Sequence, residues 1–269
     1  MRVTDLTIQR NFLYNIFNAE KRLGSLQEMA SSGKAIGRPQ DDPVGSEKSI
    51  SLRHNMAVNN QYLRNMEKAR TWMSQTEQAL GHLTDVLSRV HDLALFGATG
   101  TTPDEARKAI SAEVSQLKEE ISGVFETTVD GRKLLEGTMP VWRLSTDVTI
   151  TCKGTESIRA DVEQYIDQLI QGLDNSDEAD ITAAAEGIDR VLDSVLAHRA
   201  ENGAKLRRLD ILEEKAGDMD IEFQRLLSNV EEADLTEVIV KLISQQMAYQ
   251  TALAVGARLI QPSLLDYLR

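Results

Sequence analysis

Aromatic residues make up only 4% of this 269-residue chain, proline occurs 5 times and cysteine once. A lone Cys152 excludes an intrachain disulfide and a thiolate metal cluster. With proline and aromatics so sparse, the long stretches rich in Ala, Leu, Ile, Glu, Gln and Arg point to helices rather than sheets. No stretch approaches the roughly 18 apolar residues that span a bilayer, and Met1–Leu6 has no apolar leader core. The expectation is a soluble chain, exported if at all without a cleaved Sec-type signal. Hydrophobic residues still amount to 41%, enough to build a core.

Chemistry-bearing patterns are equally scarce. The 4 histidines, His54, His82, His91 and His198, include no pair at helical metal spacing, and none lies beside a nucleophile signature. Gly97-Ala98-Thr99-Gly100 lacks the lysine and the preceding strand of a phosphate loop and reads as a helix end. Asp41-Asp42 before Pro43 reads as a turn and cap rather than a metal or acid/base pair. The Met56, Met66, Met73 stripe reads as adaptable core. A non-enzyme without cofactor is therefore expected.

Charge is concentrated rather than spread. Acidic residues number 42 against 30 basic, a net of -12, and residues 151–234 alone hold 21 acidic and 9 basic residues. There is no Lys/Arg cluster to concentrate positive charge, so neither nucleic acid nor membrane is an expected partner.

What the chain does have is period. Phe12, Ile16, Ala19, Leu23, Leu26 and Ala30 recur at alternating spacings of four and three, one seam of a coiled-coil helix that stops at Ser32-Gly33. Residues 33–42, with Gly37-Arg38-Pro39 and Asp42-Pro43, read as a linker. Asp42 is placed as N-cap, with Pro43 in the first position of a long second helix. That helix keeps the heptad frame through Leu52, Met56, Leu63, Met66, Met73 and Leu80 and ends near Gly97. Thr102-Pro103-Asp104-Glu105 has capping-box form, Thr102 as N-cap and Glu105 reaching back to its amide, opening a third helix.

Between Thr128 and Gly154 the texture changes to a turn at Val129-Asp130-Gly131-Arg132 and a β-branched run, Val148–Cys152. A short helix over 157–173 follows, and 129–178 reads as a small α+β insert. From Ile181 to Val230 the helical stripe resumes; unbroken, it is about 75 Å long, which requires an elongated molecule, although a break near Gly203 stays open. The last segment repeats the first: Leu235, Ile239, Leu242, Gln246, Tyr249, Leu253, Gly256 and Ile260 alternate by four and three. Leu264, Leu265, Tyr267 and Leu268 add large apolar side chains at the terminus. Two such seams cover each other incompletely, so many copies stacked together are needed, and folding of the ends is coupled to assembly.

These residues also carry a resemblance. Leu26-Gln27-Glu28-Met29, Ser32-Gly33-Lys34, Pro39-Gln40-Asp41-Asp42-Pro43-Val44-Gly45 and Asn60–Met66 resemble the flagellin-like axial proteins. Ser244-Gln245-Gln246 and Ser263–Leu268 resemble the branch of that family known as hook-associated protein 3, at the hook-filament junction. Asp130–Thr138 is similar to the family's hairpin motif, departing at Leu135 and Glu136, where an aromatic and a small residue are usual.

The resemblance implies a mainly α, elongated and discontinuous helical bundle or coiled coil, flagellin-like, with the small α+β insert outermost. In that frame residues 1–42 and 235–269 form an inner-tube assembly region, 43–128 and 179–234 a helical rod, and 129–178 the insert. The assembly interface is assigned to Phe12, Ile16, Leu23, Leu26, Leu235, Ile239, Leu242, Tyr249, Leu253, Ile260, Leu264, Leu265, Tyr267 and Leu268. The implied function is a structural subunit joining hook to filament, extracellular and exported by the flagellar type III apparatus. Implied partners are further copies of itself, the adjacent junction protein, flagellin and a cytoplasmic export chaperone. Two alternatives stay open: a short flagellin forming the filament itself, and a cytoplasmic signalling coiled coil.

Overall fold

The computed structural model describes residues 5–136, 140–151 and 155–260. The fold is mainly α: helices α1 (Asp5–Ser32), α2 (Pro43–Gly97), α3 (Asp104–Phe125), α4 (Glu156–Asn175), α5 (Glu178–Glu231) and α6 (Leu235–Ile260), with four short strands between α3 and α4. The chain divides into two compact units. One comprises Met1–Ala57 and Asp220–Arg269, the other Val58–Met219, so α2 and α5 each contribute to both.

Helix ends follow local chemistry. Gly33 adopts φ +69, a conformation that strains any residue with a Cβ, and its amide donates to the Met29 carbonyl to close α1. Asp42 Oδ1 accepts from the Val44 and Gly45 amides at 3.1 and 3.0 Å, satisfying two of the orphan donors at the start of α2. Asp177 Oδ1 does the same for Ala179 at the head of α5, and Asp234 Oδ1 for Thr236 and Glu237 at the head of α6.

The Thr102–Glu105 capping box does not form. Pro103 occupies the N-cap position of α3 with no side-chain cap, and the Thr102 hydroxyl donates instead to the Phe96 carbonyl at 2.9 Å, which the Thr99 amide also reaches at the end of α2. α5 runs through Asn202-Gly203 unbroken, because Asn202 is buried in the seam and its Nδ2 donates to the Met73 carbonyl of α2 at 2.9 Å. Asn59 of α2 makes the reciprocal bond to the Ala216 carbonyl of α5 at 2.8 Å.

The core of the second unit is a bundle of α2, α3, α4 and α5. Leu83, Leu87 and Val90 meet Ile110, Val114 and Ile121, together with Ile166 and Leu169 and, from α5, Ile181, Ile188 and Val195. Arg107, itself buried, ties the helix ends of this bundle. Its guanidinium donates to the Gly97 carbonyl, the Ser176 carbonyl and Glu178 Oε1, thereby meeting acceptors that α2 and α4 leave open.

Two small antiparallel hairpins lie between α3 and α4. β1 (Thr128–Val129) pairs with β2 (Arg132–Lys133) through Asp130 and Gly131, both at positive φ, the geometry of a type I′ turn. β3 (Val141–Arg143) pairs with β4 (Thr149–Thr151), and Cys152 lies outside the described residues. Leu144 and Ile150 from this second hairpin join Met66, Met73 and Leu209 in a smaller core cluster, and Trp142 packs on Trp72 with ring centroids 6.0 Å apart. Leu134 and Leu135 are fully buried, and Glu136 accepts from Arg159 and Lys133.

Candidate assembly surface

α1 and α6 pack against each other within the first unit. On α1 the half-buried stripe is Phe12, Ile16, Ala19, Leu23, Leu26 and Ala30, the seam whose spacing marks it in the sequence. On α6 the inward stripe is Val238, Leu242, Gln245, Tyr249, Ala252 and Gly256, again alternating by four and three. Leu242, Tyr249 and Gly256 belong to the predicted seam. Leu235, Ile239, Gln246 and Leu253 face outward, displaced by Val238, Gln245 and Ala252 one position before.

The inward stripe is narrow because small and polar residues bring the helices together. Phe12 lies directly over Gly256: a Cβ added there would stand 1.9 Å from the ring's Cζ. Gln245 Nε2 donates to the Ala19 carbonyl at 3.3 Å, a polar seam position of the kind that fixes register. The side chain of Ile260 is not described, and Leu264, Leu265, Tyr267 and Leu268 lie outside the described residues.

The outward faces are apolar too. On α1, Leu13, Tyr14 and Phe17 are each more than 60% exposed. On α6, Val240 and Met247 are equally open, with Ile239 and Ile243 about half exposed beside them. Among the α6 residues whose side chains are described, the charged ones are Glu237 and Lys241, which pair with each other at 2.7 Å. A helix that is apolar all round is stable when buried on every side. Each of these outward side chains gains roughly 1 kcal/mol or more when covered.

Where the terminal pair joins α2 and α5, a polar knot sits that periodicity does not reveal. Glu231, buried at the end of α5, accepts from Ser49, from Arg53 Nε at 3.0 Å and from Arg53 Nη2 at 2.6 Å, with Lys34 Nζ at 3.4 Å. Hydrogen bonding from Arg53 is the largest influence and overcomes burial, holding this carboxyl at about 2, with Ser49, the Arg53 charge and Lys34 adding to it. Beside it the two connecting segments join by backbone: Ala35 N donates to the Glu231 carbonyl at 2.7 Å and Ala233 N to the Gly33 carbonyl at 2.9 Å. The start of residues 33–42, read from sequence as a linker or loop, is thus pinned at Gly33 and Ala35. A Glu and an Arg separated by 178 positions leave no local sign of such a pair.

Among the described residues no cluster of three or more His, Cys, Asp or Glu is placed to hold a metal ion, and no described helix is long and apolar enough to cross a membrane.

Comparison with known proteins bears on what such a surface serves. Residues 3–139 match the family described as the bacterial flagellin N-terminal helical region. The chain is 23% identical to flagellar hook-associated protein 3 of Escherichia coli K12, over 93% of both chains. It is 24% identical to the flagellar filament 30.7 kDa core protein of Treponema maltophilum, over 90% of this chain and 89% of that one. Among solved structures, Bacillus cereus FlgL superposes with a TM-score of 0.60 at 16% identity, covering 66% of this chain and 99% of that one, and so shares the fold.

Proposed function

Because this chain belongs to the flagellin family defined by that N-terminal helical region, we propose that it is a structural subunit of the flagellar hook-filament junction. The observation that carries the reading is the doubly apolar α1/α6 pair: one face of each helix meets the other, and Leu13, Tyr14, Phe17, Val240 and Met247 remain for neighbours. Residues 1–42 and 235–269 then form the assembly region, with the helices of 43–128 and 179–234 as rod and 129–178 as surface insert. Similarity to hook-associated protein 3 over nearly the full length of both chains supports the junction reading. On this reading the neighbours are further copies, the adjacent junction protein and flagellin. The chain leaves the cell through the flagellar type III apparatus with a chaperone on its C-terminal region.

The equally long similarity to a filament core protein supports a second reading, a short flagellin that builds the filament itself. One experiment separates them. Deletion of the last dozen residues, with export scored separately from filament attachment, is expected to give secreted filaments detached from hooks. Polymerisation of the purified intact chain into long filaments would favour the second reading.

A further inference from the structure

We propose that the α1/α6 pair carries both halves of a head-to-tail contact between copies of this chain: the aromatic ridge Tyr14/Phe17 of one copy seats in a cation-rimmed socket on the helix pair of the next. The inference rests on the assembly role above and specifies its geometry.

The socket is a cleft of about 500 Å³ between the two helices, bounded by Arg22, Ser25 and Leu26 of α1 and by Val240, Lys241, Ser244 and Gln245 of α6. Both helices present serine there instead of a large apolar residue, which leaves the gap. Leu26 gives it a half-buried apolar wall. At its rim, among the described residues, Arg22 has no carboxylate partner and Lys241 has Glu237 of its own helix.

An occupant suited to this lining has a flat apolar body for the two cations to face and a polar tip for Ser244 and Gln245 to meet. Tyr14 has that form, and Phe17, one turn on, extends the apolar face. These two are the exposed aromatics of this unit among its described residues; Phe12, Phe223 and Tyr249 are half-buried. Charge directs copies to meet through this unit. Met1–Ala57 with Asp220–Arg269 holds 12 basic and 13 acidic residues, whereas Val58–Met219 holds 18 and 29, so contact through the first unit brings together the least like charge.

Ridge and socket occupy different stretches of α1, about eight residues or 12 Å apart along the axis. A copy that fills its neighbour's socket therefore still offers its own. The contact is heterologous and extends into an array instead of closing as a two-fold dimer.

The test uses three full-length variants followed by sedimentation velocity: Tyr14→Ala/Phe17→Ala removes the ridge, Ser244→Trp fills the socket, and Arg22→Glu reverses the rim at an exposed position. Each alone is expected to need at least tenfold more protein than the unaltered chain to assemble. A 1:1 mixture of the ridge-less and socket-filled variants is expected to give dimers and nothing larger, since one intact ridge meets one intact socket. A mixture that stays monomeric, or any variant that assembles at the unaltered chain's concentration, overturns the proposal and leaves the assembly role standing. An unaltered chain that stays monomeric at every concentration, alone or with its axial neighbours, overturns both.

Discussion

Phe12 and Gly256 are a matched pair: the ring of one fills the space that a side chain on the other would need, and this contact sits in the seam of α1 and α6. Gly256→Ala raises intrinsic helix propensity by about 1 kcal/mol but forces the ring out, an overpacking cost of roughly 1–3 kcal/mol. The net expectation is a loosened hairpin, seen as faster amide exchange across residues 12–30 and 238–256. Combining it with Phe12→Ala should recover part of the loss, because the added methyl then has room. Independent, additive effects in that double-mutant cycle would show that ring and glycine do not interact.

The Glu231 knot gives the first unit an acid limit. Its carboxyl is held at about 2, below its value in an unfolded chain, so the stabilisation is complete above an unfolded-state value near ~4.3 and is lost as pH falls from there toward about 2. Glu231→Gln keeps the shape and removes the charge; at neutral pH it is expected to cost roughly 2 kcal/mol and to flatten stability over that acid window. Thermal melts at a series of pH values test this. A variant with the unaltered chain's acid profile would place the acid limit elsewhere.

Arg107 is the corresponding tie in the second unit, reaching two backbone carbonyls and Glu178 from a buried position. Arg107→Met leaves those acceptors unmet and is expected to destabilise by about 3 kcal/mol in urea titration. Arg107→Lys should recover little, since a single ammonium cannot span the fork that the guanidinium fills.

Charge sets a condition on assembly. The second unit carries 29 acidic and 18 basic residues, so copies brought together repel one another. Raising ionic strength from 10 to 150 mM shortens the screening length from ~30 to ~8 Å. Light scattering should show assembly accelerating severalfold over that range, the reverse of what attraction between opposite charges produces.

How far the sequence reveals this architecture depends on whether the deciding interactions are periodic. The α1 seam is legible because its apolar repeat runs the length of the helix, from Phe12 through Ala30, whereas the outward Leu13, Tyr14 and Phe17 are confined to its first half. On α6 large apolar residues appear on every side, and the period alone does not choose a face. Partner geometry chooses, and it takes Val238, Gln245 and Ala252 over the larger Ile239 and Leu253 because close approach favours smaller or hydrogen-bonding residues. Asn202-Gly203 has a turn's composition, yet the asparagine is satisfied by an α2 carbonyl and the helix continues. Thr102 has a cap's pattern, but the Phe96 carbonyl draws its hydroxyl away. The helices and the short strands between α3 and α4 are thus readable along the chain; the Glu231 knot and the Arg107 tie, built from residues tens to hundreds of positions apart, are not.

The backbone pairing of Lys34 with Glu232 has a mechanical meaning. Tension drawn through the terminal hairpin does not fall on one connecting peptide at a time, since the two strands crossing from the hairpin into α2 and α5 are cross-tied and share the pull. Twin tethers of this kind give way only when both yield together.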